Sequence, residues 1–456
     1  MNVEARVKGV HQRPRQASPR LRRPPARHLA SHPGGIGTDT RWGLGAEATR
    51  FVASLSTFWL LSRTLELDGY GAYAAISGLV TTITMLCNNW VGQWLMEAIV
   101  RDAGATSRSV RRATSMMMIL GLAAVGLGVA LRPVLLPSIT MLVLGPFLVG
   151  EVLNASITGL CIASVSATTG YVASAKLSIL AMLSKPIVVV ALYLAGNLTL
   201  KSVVVGILVA NLVAAPLALV ITIRITNHAL GLSRFGWSSL SQALPYAATN
   251  LAFAMQEEFD KPLMLRLGVS ADVGPYAAAY RIVQIAMVPI KGVVGATHVR
   301  FLETGTERGR NAVISLARFL TLRTTAGAAA IVGVVLAARP LLPAVLGKEF
   351  EAALPMLTAL TPVVVLRAMS WFPLNGLMAL GMQRARIIVL ALSSITNLGT
   401  NLILIPIISW RGAVIATIGS EVVFVTLAWV LLYTSAPNVG PDAPSTRSSK
   451  QGGSQQ

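Results

Sequence analysis

Charge is scarce in these 456 residues. Asp, Glu, Lys and Arg together make up 12% of the chain, about half the roughly 25% of a soluble globular protein. Apolar residues make up 54%. So few charges cannot cover a water-facing surface of this size, which excludes an ordinary soluble enzyme. So much apolar sequence also excludes a chain disordered throughout. Cysteine is nearly absent. Cys87 and Cys161 both lie in apolar runs and read as small hydrophobes, with neither a disulfide framework nor a metal cluster. Of the five histidines, His11, His28 and His32 fall in the Arg/Pro-rich N-terminal stretch, and no HExxH pair occurs. No GxxxxGK[ST] loop occurs either: Gly196 to Lys201-Ser202 lacks its second glycine. Gly43-Leu44-Gly45-Ala46-Glu47-Ala48 fits GxGxxA without a strand before it, so it carries no dinucleotide signal. The expectation is a protein with no cofactor, no metal and no catalytic constellation, and hence not an enzyme.

What is present is basic charge and apolar length. The net charge is +20, which would ordinarily raise nucleic acid as a partner. Its distribution points elsewhere. Arg6, Lys8, Arg13, Arg15, Arg20, Arg22, Arg23, Arg27, Arg41 and Arg50 face only Glu4, Asp39 and Glu47 in residues 1–50. Most of the remainder stands in short gaps between apolar runs. Residues 1–44 lack an apolar h-region and read as a disordered basic tail, able to lie on anionic headgroups. Residues 435–456 read as a second disordered tail.

A bilayer core takes about 20 apolar residues per helix. Candidate spans fall near 46–66, 72–95, 113–131, 134–162, 177–196, 202–223, 243–266, 273–297, 317–338, 352–380, 386–408 and 412–434. Gaps after even-numbered spans carry eleven Lys or Arg, gaps after odd-numbered ones five. Both termini are therefore expected in the cytoplasm, the chain being a multi-pass protein of the bacterial inner membrane.

The halves echo each other. Gly71-Ala72-Tyr73-Ala74-Ala75 returns 203 residues later as Gly274-Pro275-Tyr276-Ala277-Ala278. Gly159-Leu160-Cys161 pairs with Gly376-Leu377-Met378, and Lys201 with Arg411. Three echoes in order imply a 6+6 repeat whose halves share one orientation. The expected fold is an all-α polytopic membrane protein of about 12 transmembrane helices, in two pseudo-symmetric six-helix lobes around a central cavity. The expected division is a tail (1–44), an N-terminal lobe (45–224), a linker (225–242), a C-terminal lobe (243–434) and a tail (435–456).

Ionisable side chains inside a bilayer cost several kcal/mol and normally face a cavity or a partner. Arg50, Lys185, Arg281, Lys291 and Arg367 form a cationic set against Glu151 and the acids of the seventh span. Arg281 lies eight residues into its span, about 12 Å deep at ~1.5 Å per residue. Arg63 and Glu421 read as residues that snorkel or pair near an interface. Guanidinium forks suit phosphate, so the five cations are the candidate diphosphate site, with satisfied structural pairs, for instance with Glu151, as the alternative. Glu257 and Lys261 are spaced for an intrahelical pair. Glu151, Glu257, Glu258 and Asp260 are the candidate ion-coupling carboxylates.

Leu61-Ser62-Arg63-Thr64-Leu65-Glu66-Leu67-Asp68-Gly69-Tyr70-Gly71-Ala72-Tyr73 resembles the opening signature of polysaccharide biosynthesis proteins, the Wzx-type flippases of the multidrug/oligosaccharidyl-lipid/polysaccharide (MOP) exporter superfamily. Asp260-Lys261 through Gly274-Pro275-Tyr276-Ala277-Ala278-Ala279-Tyr280-Arg281 is similar to their seventh and eighth helices. Gly347-Lys348-Glu349-Phe350 with Ala353-Leu354-Pro355-Met356-Leu357 is similar to the start of their tenth. Asn401 to Pro406, then Trp410-Arg411-Gly412 to Thr417 and Ser420-Glu421, are similar to the end of the eleventh helix and to the twelfth. Coverage is roughly 45–434. Where the family often has Leu-Gly-Pro, this chain has Leu65-Glu66-Leu67. The resemblance implies a flippase for undecaprenyl-diphosphate-linked oligosaccharide repeat units, serving exopolysaccharide or O-antigen assembly, with membrane lipids, a polysaccharide polymerase and a chain-length regulator as further partners. Two other readings compete: a cation-coupled multidrug exporter of the same fold, and a membrane glycan polymerase or ligase. The latter would need an outer loop longer than the dozen or so residues available here.

Overall fold

The computed structural model describes residues 36–434 except 88, 102–104, 227–230 and 235–236. The expected tails fall largely outside these residues. Among the described residues there is no strand. The first lobe comprises α1 (Ile36–Thr64), α2 (Glu66–Cys87), α3 (Asn89–Arg101), α4 (Thr106–Leu135), α5 (Met141–Thr169), α6 (Tyr171–Leu194) and α7 (Leu200–Thr226). The second comprises α8 (Trp237–Glu258), α9 (Asp260–Leu267), α10 (Ser270–Ala286), α11 (Val288–Glu307), α12 (Gly309–Ala338), α13 (Leu342–Leu346), α14 (Ala353–Leu360), α15 (Pro362–Ala379), α16 (Gln383–Ile408) and α17 (Trp410–Thr434). Short 3-10 turns at Arg339–Leu341 and Lys348–Ala352 flank α13. Helix α1 begins nine residues before the expected lobe boundary.

Eight of the described helices are long and apolar enough to cross a membrane, and two bent pairs bring the number to ten. The other two expected spans, α1 and α8–α9, do form helices, but both carry clustered charge. Their surfaces fit a lipid solvent. Leu122, Leu142, Leu322 and Ile407 are each more than 70% exposed, a pattern that would be an aggregation hazard in water. Only 6% of the apolar stretch of α12 is buried inside the protein.

The breaks have local causes. Helix α10 meets α11 at 41°, and the helix ending at Leu360 meets α15 at 40°. Pro289 and Pro362 stand at the start of each second half, where a missing N–H interrupts the ladder. The Thr361 hydroxyl donates to the Thr358 carbonyl at 2.8 Å, satisfying the acceptor that Pro362 leaves free. The turn between the third and fourth spans falls at Leu136–Thr140 rather than at Arg132-Pro133. Helix α4 runs through Pro133, and Arg132 Nε donates to the Ile139 carbonyl (2.7 Å), closing the turn.

The repeated block is where the lobes meet. A Cβ on Gly71 would lie 2.9 Å from the Gly274 nitrogen, and one on Gly274 would run into the Leu67 carbonyl. The two glycines thus let α2 and α10 approach backbone to backbone, the packing small residues permit in membranes. The same end of the bundle, opposite the start of α1 and the end of α17, is tied by Arg63 donating to the Ala344 carbonyl (2.8 Å) and Arg266 to the Val134 carbonyl (3.0 Å). Tyr70 and Phe350 pack edge to face there. Glu66 begins α2 with φ +56°, the left-handed conformation for which the family's glycine is suited. The turn therefore survives the substitution, in a strained form.

Candidate functional site

Between the lobes lies a cavity of about 570 Å³, within the range of small-molecule sites. Helices α1, α2, α5 and α6 wall one side, and the α8–α10 segment the other. Lys185, Lys261 and Arg281 line it, with Glu258 as the lining carboxylate.

Arg281 is the eleventh residue after Ser270, about 17 Å along α10 at ~1.5 Å per residue. Its guanidinium donates to Ser54 on α1, across the lobes, and to Gln284 Oε1 on its own helix (2.9 Å). Among the described residues no carboxylate lies within ion-pairing distance of it. Gln284 in turn donates to Glu258 Oε1 at 3.1 Å.

Lys185 precedes Pro186 on α6 and pairs with Glu151 at 2.6 Å. Glu151 also accepts from Asn211 at 3.3 Å, and the same amide holds the Gly150 carbonyl at 3.0 Å. Helix α7 thereby holds the acid that holds the lysine. The Lys185 side chain remains 35% exposed, which leaves an ammonium donor at the cavity.

The break at Phe259 sorts the acids of the α8–α9 joint. Lys261 Nζ contacts Glu258 (3.0 Å), Asp260 (3.4 Å) and the Glu257 carbonyl (2.6 Å). The expected side-chain pair between Glu257 and Lys261 does not form, because an unbroken helix is needed to stack residues four apart. Glu257 turns into the second lobe instead, to Arg367 at 2.6 Å and Lys291 at 3.7 Å. Asp260 is buried, accepting from Tyr276 at 2.5 Å and from the Lys261 backbone N–H at 2.8 Å.

Arg367 stands behind the cavity wall. It is 3% exposed and clamped between Glu257 and Glu421 (2.7 Å), with Tyr280 at 3.2 Å. Glu421 is 1% exposed: it is a buried counterion, not an interfacial residue. Arg63 does lie at a bundle end. Lys291 is largely exposed beside Trp371 and does not line the cavity. The Arg50 side chain lies outside the described residues. The structure therefore brings Lys185, Arg281 and Glu258 to one chamber, with Glu151 and Asp260 behind them. Glu257, Lys291 and Arg367 belong to a separate network. Ser54, Lys261 and Gln284 are cavity groups that the sequence reading did not select. Lys261 had a signal as a charge within the seventh span, there assigned to a pair with Glu257, and Gln284 had one in standing three residues after Arg281 on the same helical face; Ser54 had none.

Two lobes of apolar helices that share their orientation and enclose a polar chamber define a membrane transporter fold. Solved structures agree. The inward-facing conformation of a multidrug resistance MATE family transporter of the MOP superfamily superposes with TM-score 0.72 at 14% identity, covering 87% of this chain and all of that one. The lipid II flippase MurJ in its inward closed conformation gives 0.66 at 13% identity, over 86% and 87% of the two chains. The outward-facing conformation of a MATE family transporter gives 0.58 at 12%, over 86% and 94%. No curated protein matches this sequence. The polysaccharide biosynthesis protein family matches residues 60–355, and the chain belongs to that family.

Proposed function

We propose that this protein is a flippase that carries undecaprenyl-diphosphate-linked oligosaccharide repeat units from the inner to the outer leaflet of the bacterial cytoplasmic membrane. One observation carries the reading: Arg281 presents a guanidinium to the inter-lobe chamber with hydroxyl and amide partners and, among the described residues, no carboxylate within ion-pairing distance. Such a group binds an incoming diphosphate by forked, charge-assisted hydrogen bonds, and Lys185 adds an ammonium from the facing wall. The lipid tail stays in the bilayer. Both termini are cytoplasmic in this reading, so the end tied by Arg63, Arg266 and the Gly71–Gly274 contact is the outer one. Rocking of the lobes breaks those ties to release the cargo. The chamber's three lining cations are partly offset by Glu258, and by Glu151 and Asp260 behind it, so selectivity rests on Arg281 more than on bulk positive charge. Arg367 is a positioning residue that holds α8, α15 and α17 together. Glu258, exposed to the chamber, is the feature that would serve a cation-coupled multidrug exporter instead.

The deciding experiment is a clean deletion in a strain without a paralogue. Lipid-linked repeat units should accumulate on the inner leaflet and surface polymer should disappear. Intact polymer with altered dye or antibiotic susceptibility would move the assignment to the exporter.

A further inference from the structure

The two lobes contribute unlike walls to the chamber. The second lobe supplies charge, in Glu258, Lys261 and Arg281, with Gln284 beside them. The first lobe supplies hydroxyls and an amide, and its lining cation, Lys185, is paired with Glu151. Their levels differ as well. Gly71 and Gly274 meet at the tied end, and Ser77 and Arg281 follow them by six and seven residues, so these two stand at one depth. Thr81 lies a turn farther from the tied end on α2. Helix α5 starts at that end, and Asn154 and Thr158 lie beyond Glu151 by about 5 and 10 Å at ~1.5 Å per residue. Helix α6 runs toward it, and Ser178 lies about 10 Å short of Lys185 by the same rise. A belt of neutral polar groups therefore adjoins the charged level, on the side away from the ties.

Hydrogen-bonding capacity in this belt is unfilled. Thr158 donates to Asn154 Oδ1 at 2.8 Å, which orients the amide and leaves its two N–H groups over. Among the described residues that amide nitrogen and the hydroxyls of Tyr73, Ser77 and Thr81 have no hydrogen-bond partner. All four side chains are half-buried and line the chamber. Such groups are completed by water or by a ligand that brings hydroxyls of its own. A carboxylate finds no match here. The belt holds no cation among the described residues, Lys185 already faces Glu151, and Glu258 adds a like charge.

We propose that this belt is the subsite for an uncharged sugar, the one attached to the diphosphate, and that it rejects a carboxylated sugar in that place. The assignment rests on the flippase reading of the chamber. With the diphosphate on Arg281, the first sugar extends into the belt. There Asn154 donates to a sugar oxygen, and Ser77 and Thr81 exchange hydrogen bonds with its hydroxyls. A hexuronate would bury a charge without a counterion, the repulsive element that specificity needs. A chamber of about 570 Å³ suits a drug-sized ligand, so recognition is confined to the sugar nearest the diphosphate.

The test compares flipping of three fluorescent undecaprenyl diphosphates by the full-length protein in proteoliposomes: one bearing a hexose, one a hexuronate and one no sugar. The wild type should move the hexose lipid at least about tenfold faster than the hexuronate lipid, the scale of a buried unpaired charge. N154A and S77A/T81A should each lower the hexose rate relative to the sugar-free rate by about two- to tenfold, as loss of one or two neutral hydrogen bonds does. R281A should slow all three lipids. Equal rates for hexose and hexuronate in the wild type overturn the subsite and leave the flippase reading standing. So does an N154A protein that slows the hexose and sugar-free lipids in equal proportion. Movement of none of the three lipids by the wild type overturns the flippase reading, and the subsite with it.

Discussion

Arg281 is the residue on which the transport reading turns, and its surroundings separate two roles for it. The guanidinium bridges the lobes through Ser54 and is braced by Gln284. If it binds phosphate, Arg281→Ala removes charge-assisted hydrogen bonds of roughly 1.5–3 kcal/mol. That corresponds to a ten- to hundredfold loss in transport rate at limiting substrate, since about 1.4 kcal/mol is a factor of ten. Arg281→Lys keeps the charge but not the fork and should fall between. Ser54→Ala deletes only the lobe contact. One neutral partner is worth about 1 kcal/mol, so transport should drop about fivefold at most. The assay is flipping of a fluorescent lipid-diphosphate sugar in proteoliposomes, with reconstituted protein quantified by immunoblot. Equal losses for Ser54→Ala and Arg281→Ala would show that the arginine only ties the lobes together. An Arg281→Ala protein transporting within twofold of wild type would remove it from the substrate path and the flippase mechanism with it.

Two further outcomes follow from packing. Arg367→Ala strands the buried Glu421 and leaves Glu257 with Lys291 alone, and should cost about 3–5 kcal/mol of stability. This would be seen as a lowered melting temperature in detergent and reduced membrane abundance. Arg367→Met with Glu421→Gln should recover part of that loss, whereas a stable Arg367→Ala protein that fails to transport would place the arginine at the substrate. Gly274→Ala should destabilise by about 1–3 kcal/mol, as overpacking does, because its Cβ meets the rigid Leu67 carbonyl. Gly295→Ala, where a Cβ has open space, serves as the control in the same thermal measurement; equal melting temperatures would contradict the close packing of α2 on α10.

How much of this was legible in the residue order depends on the kind of physics involved. Long apolar runs report membrane helices directly, since a lipid solvent demands about 20 apolar residues and satisfied backbone whatever the neighbours are. The Gly71 and Gly274 blocks could be matched because a repeat preserves local needs. That the two blocks press against each other is a fact of assembly. The family's glycine position could be located at Glu66, yet only the fold reveals that the glutamate there accepts φ +56°. Partnership was the property that local order could not contain. Arg281 and Arg367 look alike as arginines within apolar helices. One faces a chamber, while the other is enclosed by Glu257 and Glu421, the latter 54 residues away. The break at Phe259 likewise redirected Glu257 and Lys261 to different neighbours, although their spacing suited one another. Composition and periodicity decided which solvent this chain folds in and how many times it turns. Only the tertiary structure decided which buried charges are already neutralised, because Coulomb attraction depends on distance through space and not on separation along the chain.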